Sequence, residues 1–311
     1  MSKESHGLKS RDISNLDELI DVISSMKKKI WFSGYKSGDV VKFAGMNFGT
    51  GADYGSKYAF THAHVTLRYQ GDMIDVQFLT LMGGLINTFR PTIESLWNDS
   101  FVIHEKESDA VKRIAHTYRI LNTLDFPTFV PLEENFFPEF RNAHPKILLT
   151  KKEKGAHLID VIRDVQDNAE KLDYLSKASS LMKQLHEKFY IWGDANLTNM
   201  MLIDGRLKLY DFGFKPNPNK FSEFLKAKDF LYFCLSGVYR TKLPVKDVVG
   251  AVVKGYAPGH NESVMIHLEA ERQVISDNSP RFIESVYLKP VFMCDYQKYM
   301  EVKREIARQV G

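Results

Sequence analysis

The sequence predicts an α+β protein in two parts, a strand-rich part over residues 1–150 and a mainly helical part over residues 151–311. Three observations carry this reading. Alternating apolar and polar residues broken by turn signals mark the first part, and apolar residues three and four apart mark the second. Between a helical stretch and a hairpin lies a polar loop that brings Asp194, Asn199 and Asp211 into one neighbourhood. With 311 residues, 44% of them hydrophobic and 26% charged, the chain can bury a large core and is long enough for two lobes.

In chain order, Leu16, Leu19, Ile20, Ile23 and Met26 form a helical stripe opened by Ser14 or Asn15. Residues 45–55 contain Gly45, Gly49, Gly51 and Gly55, and read either as backbone wrapped round a phosphate or as a flexible surface turn. Val65–Tyr69 and Met73–Phe78 read as a β-hairpin. His62 and His64 share a strand face there, but no neighbouring ligands complete a metal site. Residues 100–106 (SFVIHEK) fit a strand, and Ser108–Leu124 a helix with Val111, Ile114, Ala115, Tyr118 and Leu121 on one stripe. Residues 129–137 and 146–150 are the next strands, and Ala156–Val165 opens the second part as a helix.

Residues 171–189 place Leu172, Leu175, Ala178, Met182, Leu185 and Phe189 on one helical face. A short apolar run, Tyr190-Ile191-Trp192, then enters the loop. Met200–Ile203, Asp204-Gly205 and Arg206–Tyr210 form a tight hairpin, because Asp-Gly supplies the positive φ angles of a type I′ turn. The hairpin returns Asp211 to the neighbourhood of Asp194 and Asn199. Residues 214–221 read as a turn-rich loop, and 224–232 as a helix containing Asp229. Residues 245–256 and 296–310 are helical in pattern, while 258–261 and 277–280 mark loops.

Two carboxylates and an amide at this spacing suit phosphoryl transfer. One carboxylate can orient and deprotonate a hydroxyl, and the other can hold magnesium together with the amide oxygen. The order helix, Asp194, Asn199, hairpin, Asp211-Phe212-Gly213 resembles the C-lobe core of the protein-kinase-like superfamily. That resemblance implies a bilobal kinase-like fold, a β-rich N-lobe followed by a helical C-lobe. It also implies an enzyme that uses ATP and magnesium, with Asp194 as base and with Asn199 and Asp211 as metal ligands. Phe212 would pack beneath the metal site, and Gly213 would permit the sharp turn beside the nucleotide. Residues 151–155 would be the hinge against adenine.

The lysine expected on the ATP phosphates is Lys106 by strand alternation, with Lys42 as rival. The following helix offers no acid between Ala110 and Leu124 to pair with it. Either the register differs, another acid substitutes, or the pair is missing. Asp229 would brace the loop.

Several features point to the compact branches of the superfamily. Asp211 and Asp229 are separated by only eighteen positions, no lysine follows Asp194 two residues on, and Trp192 stands where a histidine is usual. The chain in these respects is similar to lipopolysaccharide-core sugar kinases and Rio-type kinases. The acceptor so implied is a hydroxyl of a sugar, glycolipid or other small polar molecule. An atypical protein Ser/Thr kinase is the first alternative, and a catalytically inactive pseudokinase acting as a binding protein the second.

The formal charge of +3 is too small to argue for nucleic acid as partner. No apolar stretch reaches transmembrane length, and the polar N-terminus lacks a signal-peptide core. The location expected is cytoplasmic, with the membrane surface as alternative. Cys234 and Cys294 read as buried free thiols.

Overall fold

A computed structural model of the chain describes residues 11–13, 40–43, 46–49, 61–69, 72–80, 102–103, 107–131, 147–151, 153–212, 215–272 and 295–311. The fold is α+β and divides into two units. The first comprises Met1–Gly84, Lys106–Ile120 and Phe129–Glu153, and the second Leu85–Glu105, Leu121–Thr128 and Lys154–Gly311.

The first unit is built on strands. β1 (Arg11–Ile13), β4 (Thr61–Tyr69), β5 (Asp72–Thr80) and β7 (Ile147–Lys151) form one sheet in the order β1-β4-β5-β7. β1 runs parallel to β4, and the other pairs are antiparallel. The β4–β5 hairpin is longer than its pattern indicated, and Tyr69 pairs with Asp72 at its end. β2 (Val40–Phe43) pairs with β3 (Met46–Gly49) as a second hairpin. Residues 46–49 of the glycine-rich stretch are therefore strand, and Gly45 and residues 50–55, which carry its other glycines, lie outside the described residues. The stripe at 16–26 and residues 132–137 also lie outside them, whereas Phe129 and Val130 are in no strand. Helix α1 (Glu107–Thr123), which belongs to this unit as far as Ile120, buries Ile114, Ala115 and Tyr118 along one stripe.

In the second unit, β6 (Val102–Ile103) pairs with β11 (Lys215–Pro216). Of the strand expected over 100–106, Val102 and Ile103 are strand and the other residues lie outside the described ones; the partner strand follows the Asp211 segment. β8 (Ala156–His157), β9 (Met200–Ile203) and β10 (Arg206–Leu209) form a small antiparallel sheet in the order β10-β9-β8. The helix expected from Ala156 begins two residues later, as α2 (Leu158–Asp164), because Ala156 and His157 join β9 first. Gly155 allows this approach: a Cβ there would stand 2.6 Å from both the Leu202 carbonyl oxygen and Ile203 Cγ1. Asp204 and Gly205 take φ of 48° and 75°, as their turn requires.

The helical core consists of α3 (Asn168–Glu187), α4 (Ser222–Thr241), α5 (Val245–Tyr256), α6 (His260–Glu271) and α7 (Tyr296–Val310). α3 packs on α5, α4 on α6, and α7 on both α5 and α6. The N-cap Asp167 accepts a bond from Ala169 N at 2.9 Å, and Asp295 caps α7 through Lys298 N at 2.6 Å. α4 is buried on nearly all sides from Phe224 to Val238, which makes it the central rod of the unit. Full burial of a side chain such as Phe230, Phe233 or Val252 contributes about 1.5–3 kcal/mol. Gly255 lets α5 touch α3, since a Cβ there would overlap the Ser176 carbonyl.

Two further departures from the sequence pattern have local causes. Phe189 does not continue the α3 stripe; it takes φ of 64° and is 87% exposed. Its N–H bonds His186 O at 3.0 Å and the next N–H, of Tyr190, bonds Leu185 O at 3.2 Å, the paired contacts of a Schellman ending. His260 and Asn261 are helical, not loop, because Gly259 opens α6 and its N–H is met by Glu262 Oε2 at 3.2 Å. Among the described residues no helix is long and apolar enough to cross a membrane. Cys234 is buried, which pushes its thiol pKa well up.

Candidate active site

The loop between α3 and β9 is held from below by α4. Asp229, wholly buried, accepts the Trp192 N–H on Oδ2 at 2.7 Å and the Gly193 N–H on Oδ1 at 2.9 Å. Gly193 has φ of 81°, a conformation easy only for glycine, and so both N–H groups can turn toward one carboxylate. His186, also wholly buried, lies 3.1 Å from Asp229 Oδ2 through Nε2, and its Nδ1 is 2.7 Å from the Tyr256 hydroxyl. A carboxylate only accepts, so Nε2 donates to Asp229; in the neutral tautomer Nδ1 then accepts from Tyr256. Burial raises the Tyr256 pKa far above its ordinary value and keeps the hydroxyl protonated as donor.

Asp194 follows Gly193 directly and is half-buried. Asn199 Nδ2 donates to Asp194 Oδ2 at 2.9 Å and to the Asp194 carbonyl at 3.1 Å. These two bonds fold the loop across itself and hold one Asp194 carboxylate oxygen against Asn199. Asn199 ends a 3₁₀ turn, Leu197–Asn199, whose N-cap Asn196 accepts Thr198 N at 3.1 Å. Ser236 of α4 reaches the same turn, accepting Leu197 N at 3.1 Å and donating to Asn196 Oδ1 at 2.8 Å.

Backbone pairing carries Asp211 to this loop. Tyr210 N donates to Asn199 O at 3.1 Å, and Trp192 Nε1 donates to Tyr210 O at 3.0 Å. Leu209 is gripped from its other side by Pro127 O at 3.0 Å and by the Thr128 hydroxyl at 2.7 Å. Asp211 itself takes φ of 60°, a left-handed conformation that aspartate tolerates better than bulkier residues. Phe212 beside it is buried.

The Tyr210 hydroxyl donates to Thr198 O and lies 2.6 Å from His157 Nδ1. It therefore accepts from a protonated Nδ1. Burial holds the His157 pKa below its ordinary value, partly offset by Asp160 and the Thr198 carbonyl.

The structure thus brings Asp194, Asn199 and Asp229 into one hydrogen-bonded assembly and ties the residue before Asp211 to it. Lys106 and Gly213 lie outside the described residues, as does Thr50–Gly55. Ser236, Tyr210 and His157 are contacts that the sequence pattern did not single out. Among the described residues no group of three or more His, Cys, Asp or Glu side chains could hold a metal. Asn199 and Asp211 are oxygen donors of the hard kind that magnesium takes, and two protein ligands with the remainder from phosphate and water suit that ion.

No protein-family model matches the chain, and no curated protein matches it in sequence. Among solved structures it is similar to a double mutant of the Mycobacterium tuberculosis PknI kinase domain, at 14% identity and a TM-score of 0.39, over 75% of this chain and 98% of that one. A second double mutant of that domain overlaps at 12% identity and a TM-score of 0.37, over 89% and 100% respectively. These are distant overlaps in backbone shape.

Proposed function

We propose that this protein is a kinase-like phosphotransferase that moves the γ-phosphoryl group of ATP to a hydroxyl group. The observation that supports this most is the Asn199–Asp194 contact on a loop whose base is pinned by Asp229. Phosphoryl transfer asks little covalent chemistry of the protein; positioning and charge compensation supply most of the acceleration.

In this reading Asp194 orients the acceptor hydroxyl and takes its proton as the oxygen bonds to the γ-phosphorus. The bond to the leaving ADP oxygen breaks on the opposite side. Asn199 holds the Asp194 carboxylate through Nδ2, which directs its amide oxygen away from that carboxylate. Asn199 Oδ1 and the Asp211 carboxylate are the groups that would hold magnesium. A bound magnesium ion would neutralise charge developing on the phosphate oxygens. Lys106 remains the proposed phosphate-binding lysine, with Gly213 beside the nucleotide.

The acceptor class proposed is a sugar, glycolipid or other small polar molecule. Between Asp211 and the start of α4 at Ser222 there are few residues on which an extended peptide could dock. Lack of an acid within 110–124 favours, as the other reading, a binding protein without turnover.

Purified protein is incubated with magnesium and γ-labelled ATP, with and without cell extract, beside Asp194→Ala. Label in small molecules or glycolipid that disappears in the variant supports the proposal, and label in protein supports an atypical protein kinase. ATP binding without any transfer, the same in both proteins, would falsify both enzyme readings.

A further inference from the structure

Asp229 and Ser236 are seven residues apart on α4, and therefore lie two turns along the same side of the helix. Both are buried, and both spend their polar atoms on the same loop. Asp229 takes the N–H groups at positions 192 and 193. Ser236 takes the Leu197 N–H and gives its own proton to Asn196 Oδ1, the atom that also receives Thr198 N. Asp194 stands between the two points of attachment, and Asn199 closes the turn that the second one caps.

The spacing leaves little slack. Seven helical residues rise about 10 Å, whereas the four residue steps from Gly193 to Leu197 can span at most about 14 Å. Held to α4 at the Gly193 end only, the stretch from Asp194 to Leu197 would keep the freedom of a glycine at positive φ, with no Cβ to restrain the chain there. The second attachment removes that freedom.

We propose that Ser236 is a positioning residue for Asp194 and Asn199, the second of two braces through which α4 sets the loop. This rests on the phosphotransferase reading above as regards turnover, and on the hydrogen bonds alone as regards loop geometry. Ser236 touches no reacting atom. Its effect passes through Asn196 and the Leu197 N–H to the turn that carries Asn199, and from there to the Asp194 carboxylate.

The test uses the full chain and two readouts. Amide hydrogen exchange followed by NMR reads the loop. In Ser236→Ala the Leu197 amide is expected to exchange at least about tenfold faster, while Trp192 and Gly193 keep their protection. Magnesium-dependent release of phosphate from ATP reads turnover, with Asp194→Ala as the blank. There Ser236→Ala is expected to lower kcat about tenfold with KM for ATP changed less than about twofold. Ser236→Thr, which keeps the hydroxyl, restores both.

Asn196→Ala and Asn196→Asp approach the same contact from the loop side. The first should reproduce the loss and the second, which keeps an acceptor, should not. In the Ser236→Ala background Asn196→Ala should add little. Unchanged Leu197 protection in Ser236→Ala overturns the proposal, as does a variant that loses thermal stability while kcat stays at the wild-type value. If the wild type, given labelled ATP and cell extract, transfers no more label than Asp194→Ala, the phosphotransferase reading falls. The claim that Ser236 holds the loop is then decided by the exchange data.

Discussion

Removing the Asp229 carboxylate should be among the costliest single changes in the helical unit. Asp229→Ala leaves the N–H groups of Trp192 and Gly193 buried without an acceptor, and deprives His186 Nε2 of its partner. Each orphaned buried donor costs about 1–3 kcal/mol. His186 can recover part of its loss by exchanging tautomers, but the two backbone groups cannot move without moving the loop. The expected total is about 3–5 kcal/mol, comparable to breaking a buried charged network. Asp229→Asn keeps the volume and one acceptor oxygen but sets an NH₂ group against one of the two N–H donors, so about 1–3 kcal/mol is expected. Urea unfolding followed by far-ultraviolet circular dichroism reads both. With a slope of about 2–3 kcal/mol per molar urea, Asp229→Ala should lower the midpoint by about 1–2 M. A loss below about 1 kcal/mol in Asp229→Ala, or Asn proving worse than Ala, would refute this account of the brace.

Two other predictions follow from close packing and from burial. Gly255→Ala should push α5 off α3 where the new methyl meets the Ser176 carbonyl, at a cost of about 1–3 kcal/mol seen as a lower Tm. The His157 imidazole has its pKa held below the ordinary 6.5, so in that window the unfolded chain binds more protons than the folded one. Its contribution to stability is therefore complete above the ordinary value and is lost as the pH falls through the lower folded one. His157→Asn, which keeps an N–H for the Tyr210 hydroxyl, should flatten the fall in Tm as the pH drops below the ordinary histidine value of 6.5; an unaltered profile would show that His157 does not titrate the fold.

How legible the fold was depended on local signals. Asp204-Gly205 marks its hairpin because the required φ angles are written into those two residues, and helices 245–256 and 296–310 carry a one-sided apolar pattern. α4 extends nine residues past the stretch its pattern indicated. From Leu231 to Val238 every side chain is buried, so no polar face remains to give a period. The pattern places His157 in a helix because a two-residue strand has no period either, and its pairing with β9 depends on Gly155. Within the site, Asp194, Asn199 and Asp211 stood out by spacing along the chain. Ser236 could have been found only by asking what else lies two turns from Asp229, and Tyr210 only by its place before Asp211. Their bonds close across tens of residues, a relation that no short window of sequence contains.

Trp192 gives the loop a means of being watched. Its indole is fully buried, its backbone N–H is bound by Asp229 and its ring N–H by Tyr210 O, so one residue joins the helix rod to the arm that ends at Asp211. The chain has three tryptophans, and with Trp31 and Trp97 replaced by phenylalanine the emission would come from this ring alone. A dry, hydrogen-bonded indole emits at shorter wavelength than a hydrated one. Any parting of the loop from α4, or of the Asp211 arm from the loop, would admit water and appear as a red shift. Trp192 is thus also an intrinsic optical gauge of whether the loop is assembled.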